Sequence, residues 1–258
     1  MILTYNSVDI DVFIWNSKMS VSASERYLQN LTVMVRSLKD SGVWNLLDRF
    51  WIYATERQEH ARVCLKTRNT HTEINSPAWT ALSGYTGNGT NSYLNTNYNY
   101  TTNSINTSVS GISHGVYCLT SGVTNTYMAG GGGGGGYTDI IVRASLDRFY
   151  SDLNTLIAST IGASTDGRGF FSAVKLAIST NKLYKNGVEI TPLIFGGGTT
   201  GTGLPTVNDY VLCLNDRNTP TSPTTNTCAM RYIGGPTINQ SAFYNAFQTF
   251  ATTQGFNV

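Results

Sequence analysis

The ten residues 181–190, NKLYKNGVEI, constrain the fold more than any other stretch of this chain. Leu183-Tyr184 and Val188-Glu189-Ile190 read as two short strands. Asn186-Gly187 between them asks for a hairpin, because a type I′ turn needs positive φ at both central residues. Just upstream, residues 170–179 (FFSAVKLAIS) are long and apolar enough for a central strand. A strand, a short polar link and a tight hairpin make an antiparallel sheet the natural frame for this region.

Further strand candidates recur at the spacing of a sandwich: 103–110, 115–121, 138–144, 182–190, 209–214 and 227–233. At 258 residues the chain is long enough for one large all-β domain with an appendage, and for a sizeable core. Only 12% of residues are charged, against roughly 25% in ordinary globular proteins. The polar surface therefore falls to Asn, Thr, Ser, Tyr and Gly, as suits a surface protein rich in strands and turns. A net charge of +2 gives no nucleic-acid footprint. No apolar run approaches the roughly 20 residues of a membrane span. Residues 1–6 lack the basic start and apolar stretch of a signal peptide, so an extracellular role implies release by lysis or inside a particle.

Two helices frame the strands. Ser22 to Glu25 has the form of a capping box, and Tyr27, Leu31, Met34, Val35 and Leu38 keep helical spacing up to Gly42, which predicts a helix over 23–40. Thr237 to Gln240 is a second box, followed by Phe243, Tyr244, Phe247 and Phe250 on one face and Gly255 as a stop. Residues 43–54 read as a short helix running into a strand, or as one buried strand. Asn75-Ser76-Pro77 is a breaker and marks a boundary between a helical attachment segment, 1–76, and a sandwich, 77–258, that folds alone. Gly130 to Gly136 is an unbroken glycine run. It reads as a flexible loop, or as backbone that a partner chain or ligand approaches closely; no GK[ST] follows, so it is not a phosphate loop.

In residues 8–15, Val8, Ile10, Val12 and Ile14 alternate with Asp9 and Asp11 and then with Phe13 and Trp15, the period of a strand that turns apolar on both faces. Such an arm either docks on a neighbouring subunit by strand addition or completes this chain's own sheet beside 50–53.

Three segments in this order resemble a family of double-stranded DNA bacteriophage proteins: 38–54 (LKDSGVWNLLDRFWIYA), 84–97 (GYTGNGTNSYLNTN) and the LYKNG of 183–187. The hairpin region itself resembles a concanavalin A-like, or laminin-G-like, jelly roll. The resemblance implies a two-sheet antiparallel jelly-roll sandwich and a virion structural or adhesion protein: head fibre, spike, tail fibre or decoration. It implies as partners other virion proteins, further copies of the chain and host cell-surface polysaccharide. No nucleic acid, no membrane insertion and no cofactor is expected.

Catalytic sets are missing from the sequence pattern. Related jelly rolls in glycosidases carry two carboxylates on one strand, as in E-x-D-x-x-E, and no strand candidate here does. His60, His71 and His114 have no motif around them. Residues 164–169 come only near a sialidase Asp-box, and a turn before the Phe170 strand is the favoured reading of them. A non-enzymatic protein is expected. Tyr93, Tyr98 and Tyr100 interleave with Asn99 and Asn103, and rings that stack on sugars beside amides that bond hydroxyls would make a glycan patch; ordinary sandwich surface is the alternative. Scattered Asp166, Asp209 and Asp216 give no metal-binding pattern. Cys64, Cys118, Cys213 and Cys228 contain no CxxC and read as buried free thiols, or with Cys213 and Cys228 paired across a hairpin.

Overall fold

The structure, a computed structural model, describes residues 8–155, 159–177, 180–192 and 201–258. It opens with helices α1 (Ile10–Asn16), α2 (Glu25–Asp40) and α3 (Val43–Leu46), then strand β1 (Leu47–Ile52) and helix α4 (Gln58–Arg62). Strands β2 (Thr72–Ile74), β3 (Ala78–Thr80), β4 (Gly84–Thr86), β5 (Tyr93–Asn99), β6 (Ile112–Cys118), β7 (Ala129–Gly133), β8 (Gly136–Ala144), β9 (Arg148–Thr155) and β10 (Thr160–Ala163) follow. Next come β11 (Gly169–Ala177), β12 (Thr180–Lys185), β13 (Val188–Ile190), β14 (Asn208–Val211), β15 (Leu214–Asp216), β16 (Thr219–Thr221), β17 (Thr227–Gly234) and helix α5 (Gln240–Gln254).

Among the described residues the strands form two sheets. The first runs β13-β12-β11-β6-β17-β4-β3, with β1 also on β17. The second runs β10-β9-β8-β7-β14-β5-β2, with β15 on β7 and β16 on β15. Pairing is antiparallel except between β15 and β7, where Asp216 lies opposite Gly132 in parallel register. The chain is therefore mainly β, a two-sheet sandwich consistent with a jelly roll and followed by a C-terminal helix, as expected.

A second apolar core lies on the outer side of the first sheet. Successive residues of a strand point to opposite faces. Phe50 and Ile52 thus join α1, α2 and α5, while Trp51 and Tyr53 join the core between the sheets. Phe170 and Phe171 divide the same way. This double burial explains why 43–54 is almost uniformly apolar, and the helix-into-strand reading of it holds. It also bears on the boundary at Asn75-Ser76-Pro77. Residues 1–76 supply β1 to the first sheet and β2 to the second, so the sandwich takes strands from both sides of that breaker.

The hairpin at Asn186-Gly187 forms as expected, with φ of 50° and 74°. The preceding strand β11 ends at Ala177; the last two residues of the expected strand, Ile178 and Ser179, lie outside the described residues, as do residues 1–6 at the start. The turn packs against α5, where a Cβ on Gly187 would come 2.9 Å from Tyr244 Cβ. Both long helices form, but each cap sits two residues from the expected one, at Ser24 and not Ser22, and at Asn239 and not Thr237. The Ser22 position fails because Glu56 binds the Ser24 amide and hydroxyl, which fixes Ser24 as the chain's turning point. The strand expected at 103–110 does not form; Asn99 and Asp48 side chains hold that stretch as turns. All four cysteines are buried free thiols, so Cys213 and Cys228 are not paired.

The arm at 8–15 is a helix and not a strand. Asp9 caps it by accepting from the Asp11 amide at 2.9 Å. Val8, Val12 and Trp15 share one face by their i, i+4, i+7 spacing, a period the i, i+2 alternation had masked. Val12 and Trp15 are buried and Val8 packs against the same core. Trp15 Nε1 donates to the Val63 carbonyl at 3.1 Å, and Lys39 bridges Asp9 and Asp11 at 2.7 Å each. Val8, Val12 and Trp15 are thus internal and cannot dock a partner, whereas Ile10, Phe13 and Ile14 lie on the outer face.

Two outcomes test this packing. Trp15→Ala should lower stability by about 3–5 kcal/mol in chemical unfolding, while Ile10→Ser should change it by no more than about 0.5 kcal/mol; equal effects would restore the extended arm. Gly187→Val should cost about 3 kcal/mol from positive φ and the clash with α5 together, and an unchanged melting temperature would mean that the turn relaxes.

Candidate functional site

The expected glycan patch does not form. Strand β5 alternates, so Leu94, Thr96 and Tyr98 point inward while Tyr93, Asn95 and Asn97 point outward. Tyr98 and Tyr100 are fully buried. Tyr98 donates to Asp48 at 3.2 Å and Tyr100 to Asp209 at 2.6 Å, so neither ring can meet a sugar. Asn99 and Asn103 are occupied in the loop they shape: Asn99 Oδ1 accepts from the Thr101 and Thr102 amides, and Asn103 Oδ1 from the Asn99 amide. Of the three tyrosines only Tyr93 stays half-exposed, stacked on Tyr210 with centroids 4.5 Å apart.

The core that buries those tyrosines is unusually polar. Arg231 on β17 reaches across to Asp209 on β14 with two hydrogen bonds, Nη2–Oδ1 at 2.5 Å and Nε–Oδ2 at 3.1 Å. Its Nη1 donates to His114 Nδ1 at 3.1 Å, which leaves the imidazole proton on Nε2 facing Ser151 Oγ at 3.0 Å. Ser151 donates onward to the Asp139 carbonyl at 2.6 Å. Burial, and then the Arg231 charge, hold the His114 pKa well below its ordinary value, so the ring stays neutral. His60 and His71 are also buried, and none of the three histidines stands beside an accessible nucleophile among the described residues.

The polar chain ends at an open trough on the outer face of the second sheet. Ile140 and Val142 face the core, so Tyr137 and Asp139 on the same strand face outward. On the next strand Ser151 and Leu153 face inward and Asp152 outward, directly opposite Asp139 in register. Tyr127, Asp216, Thr221 and Ser222 complete the walls, around a volume of about 400 Å³.

The glycine run lies beneath Tyr137 and Asp139 of this trough: Gly130 to Gly133 belong to strand β7, paired to β8 and β14, Gly134 and Gly135 make the turn, and Gly136 opens β8. It is also the reason the trough exists. A Cβ on Gly132 would lie 2.0 Å from Tyr137 Cδ1, and one on Gly130 would lie 2.5 Å from Asp139 Cβ. With no side chain there, the Tyr137 ring crosses the strand and donates to Asp216 Oδ1 at 2.8 Å. The visible signal for the site was Tyr137 directly after the run and Asp139 two residues on, at the start of a strand expected over 138–144.

Asp139 is 1% exposed, and its Oδ2 has no hydrogen-bond partner among the described residues. Burial first, and then the facing Asp152 carboxylate, raise its pKa well above the ordinary range. Burial raises Asp152 too, despite hydrogen bonds from Asp139, Ser159 and Thr155. Two close carboxylates titrate as a pair that retains a proton. Burial and the surrounding aspartates likewise raise the Tyr127 hydroxyl. Chemically, the trough offers two ring edges or faces, hydroxyl partners and a proton-sharing acid pair. Residues 164–169 are a bend leading into β11, with Ser164, Gly167 and Gly169 buried and Asp166 accepting from the Arg168 amide and guanidinium at the surface.

No protein-family model and no curated protein sequence matches the chain. Its fold is similar to the botulinum neurotoxin serotype D binding domain, with a TM-score of 0.57 and 9% identity over 82% of this chain and 52% of that one. It is also similar to a mutant Trypanosoma rangeli sialidase displaying trans-sialidase activity, at TM-score 0.50 and 12% identity over 90% of this chain and 40% of that one. Domain 4 of an extracellular GH43 arabinanase from Geobacillus stearothermophilus, in complex with arabinotriose, is matched over 98% of its length and 78% of this chain, at TM-score 0.46 and 11% identity. The chain thus spans about half or less of the first two. Likenesses at such identities show the fold, and they bear on the sandwich and not on a virion assignment.

They also correct the expectation of a non-enzymatic protein. A sialidase is among the structures that share this fold, so the sandwich is no ground for excluding catalysis. The sequence argument against it also weakens, because the facing carboxylates come from two neighbouring strands and not from one.

The acid pair carries a pH dependence of defined sign. The folded chain keeps protons here that the unfolded chain releases at its lower, ordinary carboxylate values. The pair's contribution to stability is therefore full below that ordinary range and is lost as pH rises through the raised values. Asp139→Asn cannot ionise, so its melting temperature relative to the parent should rise between about pH 4 and about pH 8. A difference that stays flat would show that the Asp139 carboxyl ionises in the folded chain as it does in the unfolded one.

Proposed function

We propose that this chain is a glycan-binding β-sandwich whose binding site is the trough of Tyr127, Tyr137, Asp139, Asp152 and Asp216. The observation that carries the reading is the Tyr137 ring laid over the glycine strand beside convergent carboxylates. Sugar recognition pairs an apolar ring face with fixed hydroxyl partners, and this trough supplies both in a volume typical of small-ligand sites. A fold shared with a toxin binding domain and a sialidase is compatible with that role. As the setting we propose display on a bacteriophage particle, in several copies beside other virion proteins and facing host cell-surface polysaccharide. Its support is the run of motifs at 38–54, 84–97 and 183–187.

The test is a glycan array probed with the full chain. Binding should appear on a defined subset of glycans, and Tyr137→Ala should weaken it at least tenfold, about 1.4 kcal/mol or more, without a large change in melting temperature. An array without signal, or a signal indifferent to Tyr137 and Tyr127, would remove the trough as a glycan site. Finding the chain in purified particles would support the setting, and its absence from them would leave a free binding module.

A further inference from the structure

We propose that the trough selects its glycan through a free primary ammonium group, so that the ligand is a deacetylated amino sugar and not a neutral or acidic one. This rests on the glycan-binding reading and names its ligand class. Three carboxylates and no basic side chain line the trough. The basic groups that bear on it are Arg217, which acts on the Tyr137 hydroxyl, and Arg231, which is already paired with Asp209 inside the core. Arg143 on the same strand is bound to Asp147 and to the Ser121 carbonyl. A uronate or sialate carboxylate would enter against uncompensated like charge.

The independent pointer to a ligand is Asp139 Oδ2. This oxygen is buried on a residue that lines the trough, no N–H or hydroxyl of the described chain donates to it, and the group its carboxyl faces is the Asp152 carboxylate. Two facing carboxyls held together only by a shared proton are a costly arrangement, so a ligand whose cationic donors replace that proton and reach both of them gains at that point. An ammonium brings three donors and a positive charge, enough for Asp139, the facing Asp152 and one more acceptor. A neutral hydroxyl can satisfy one of these and leaves the charge uncompensated.

The tyrosines decide between an organic cation and a metal ion. The Tyr127 and Tyr137 rings line the trough, and aromatic ring faces attract ammonium groups by their quadrupole. A hard cation such as calcium wants six to eight oxygens. Among the described residues no three His, Cys, Asp or Glu side chains converge to hold a metal. An amino sugar would use both parts of the site, the ring face against its apolar face and the acid pair against its nitrogen.

The experiment is calorimetric titration of the full chain with four probes: a glucosamine tetramer, its N-acetylated counterpart, a galacturonate tetramer and calcium chloride alone. The glucosamine tetramer should bind at least tenfold more tightly than the acetylated one, and galacturonate should give no heat. Asp152→Asn should erase that preference. The acetylated-against-free comparison is made on the unaltered protein, so a variant that fails to fold does not decide the matter. Equal binding of the two tetramers, or binding of galacturonate, would overturn the inference; if Tyr137→Ala then abolished that binding, the trough would stand as a glycan site of another class. Saturable calcium binding lost in Asp139→Asn would make the pair a metal site and overturn it equally. No heat with any sugar, together with a silent array, would remove both readings.

Discussion

The ion pair of Arg231 and Asp209 is the interaction on which the sandwich depends. Both side chains are fully buried, one from each sheet. Moving such charges out of water costs several kcal/mol per ion, and only good geometry with every proton engaged offsets it. Here the guanidinium makes a two-pronged contact with the carboxylate, a third bond to the Tyr100 hydroxyl and a fourth to His114. These bonds hold only if β17 and β14 face each other in one register. A purely apolar core would tolerate some sliding of one sheet over the other; this core does not. The same chain of bonds runs through Ser151 to the backbone of Asp139, so the acid pair of the trough is held in place from within the core.

That polar core accounts for the residues that misled a reading of the sequence. Tyr98 and Tyr100 sit among asparagines, and the stretch looks like solvent-facing surface. They face inward because Asp48 and Asp209 wait there to accept their hydroxyls. Nothing local in the sequence announces a buried aspartate 50 or 109 residues away. The arm at 8–15 misled for a different reason. Its apolar residues satisfy a period of two and a period near 3.6 at once, and the choice was made by the helix-side core and by Asp9 as a cap. Where the determinants are local, the sequence was legible: the turn at Asn186-Gly187, the apolar faces of α2 and α5, and the strands β8, β11 and β17.

The first sheet is covered on both sides, and this is what a boundary at residue 76 missed. Phe50 packs edge-on against Phe243 of α5, with centroids 5.4 Å apart, while Trp51 lies in the core between the sheets. The helices are a third layer and not an appendage. They leave the outer face of the second sheet as the sandwich face not packed by α1, α2 and α5, and the trough lies there. Helix packing and site exposure are in that sense one arrangement, since the layer that stabilises one sheet leaves the other open.

The trough also gains from what surrounds it. Charged side chains make up only 12% of the chain, and Arg231, Asp209, Asp139 and Asp48 are among those buried inside. Surface charge that would otherwise compete with or screen a local field is correspondingly sparse. Three aspartates within one groove therefore stand against a background of Asn, Thr and Ser, with Arg217 the basic residue acting on the rim. Field strength at a site depends on how many opposite charges lie within a screening length of about 10 Å. A low overall charge and a concentrated acidic groove are complementary features. The first leaves the surface without general attraction for polyanions or polycations, and the second gives one place where a cationic group is held. The glycine strand makes that place possible, because any side chain on Gly132 would push Tyr137 off the floor and separate the ring from the acids.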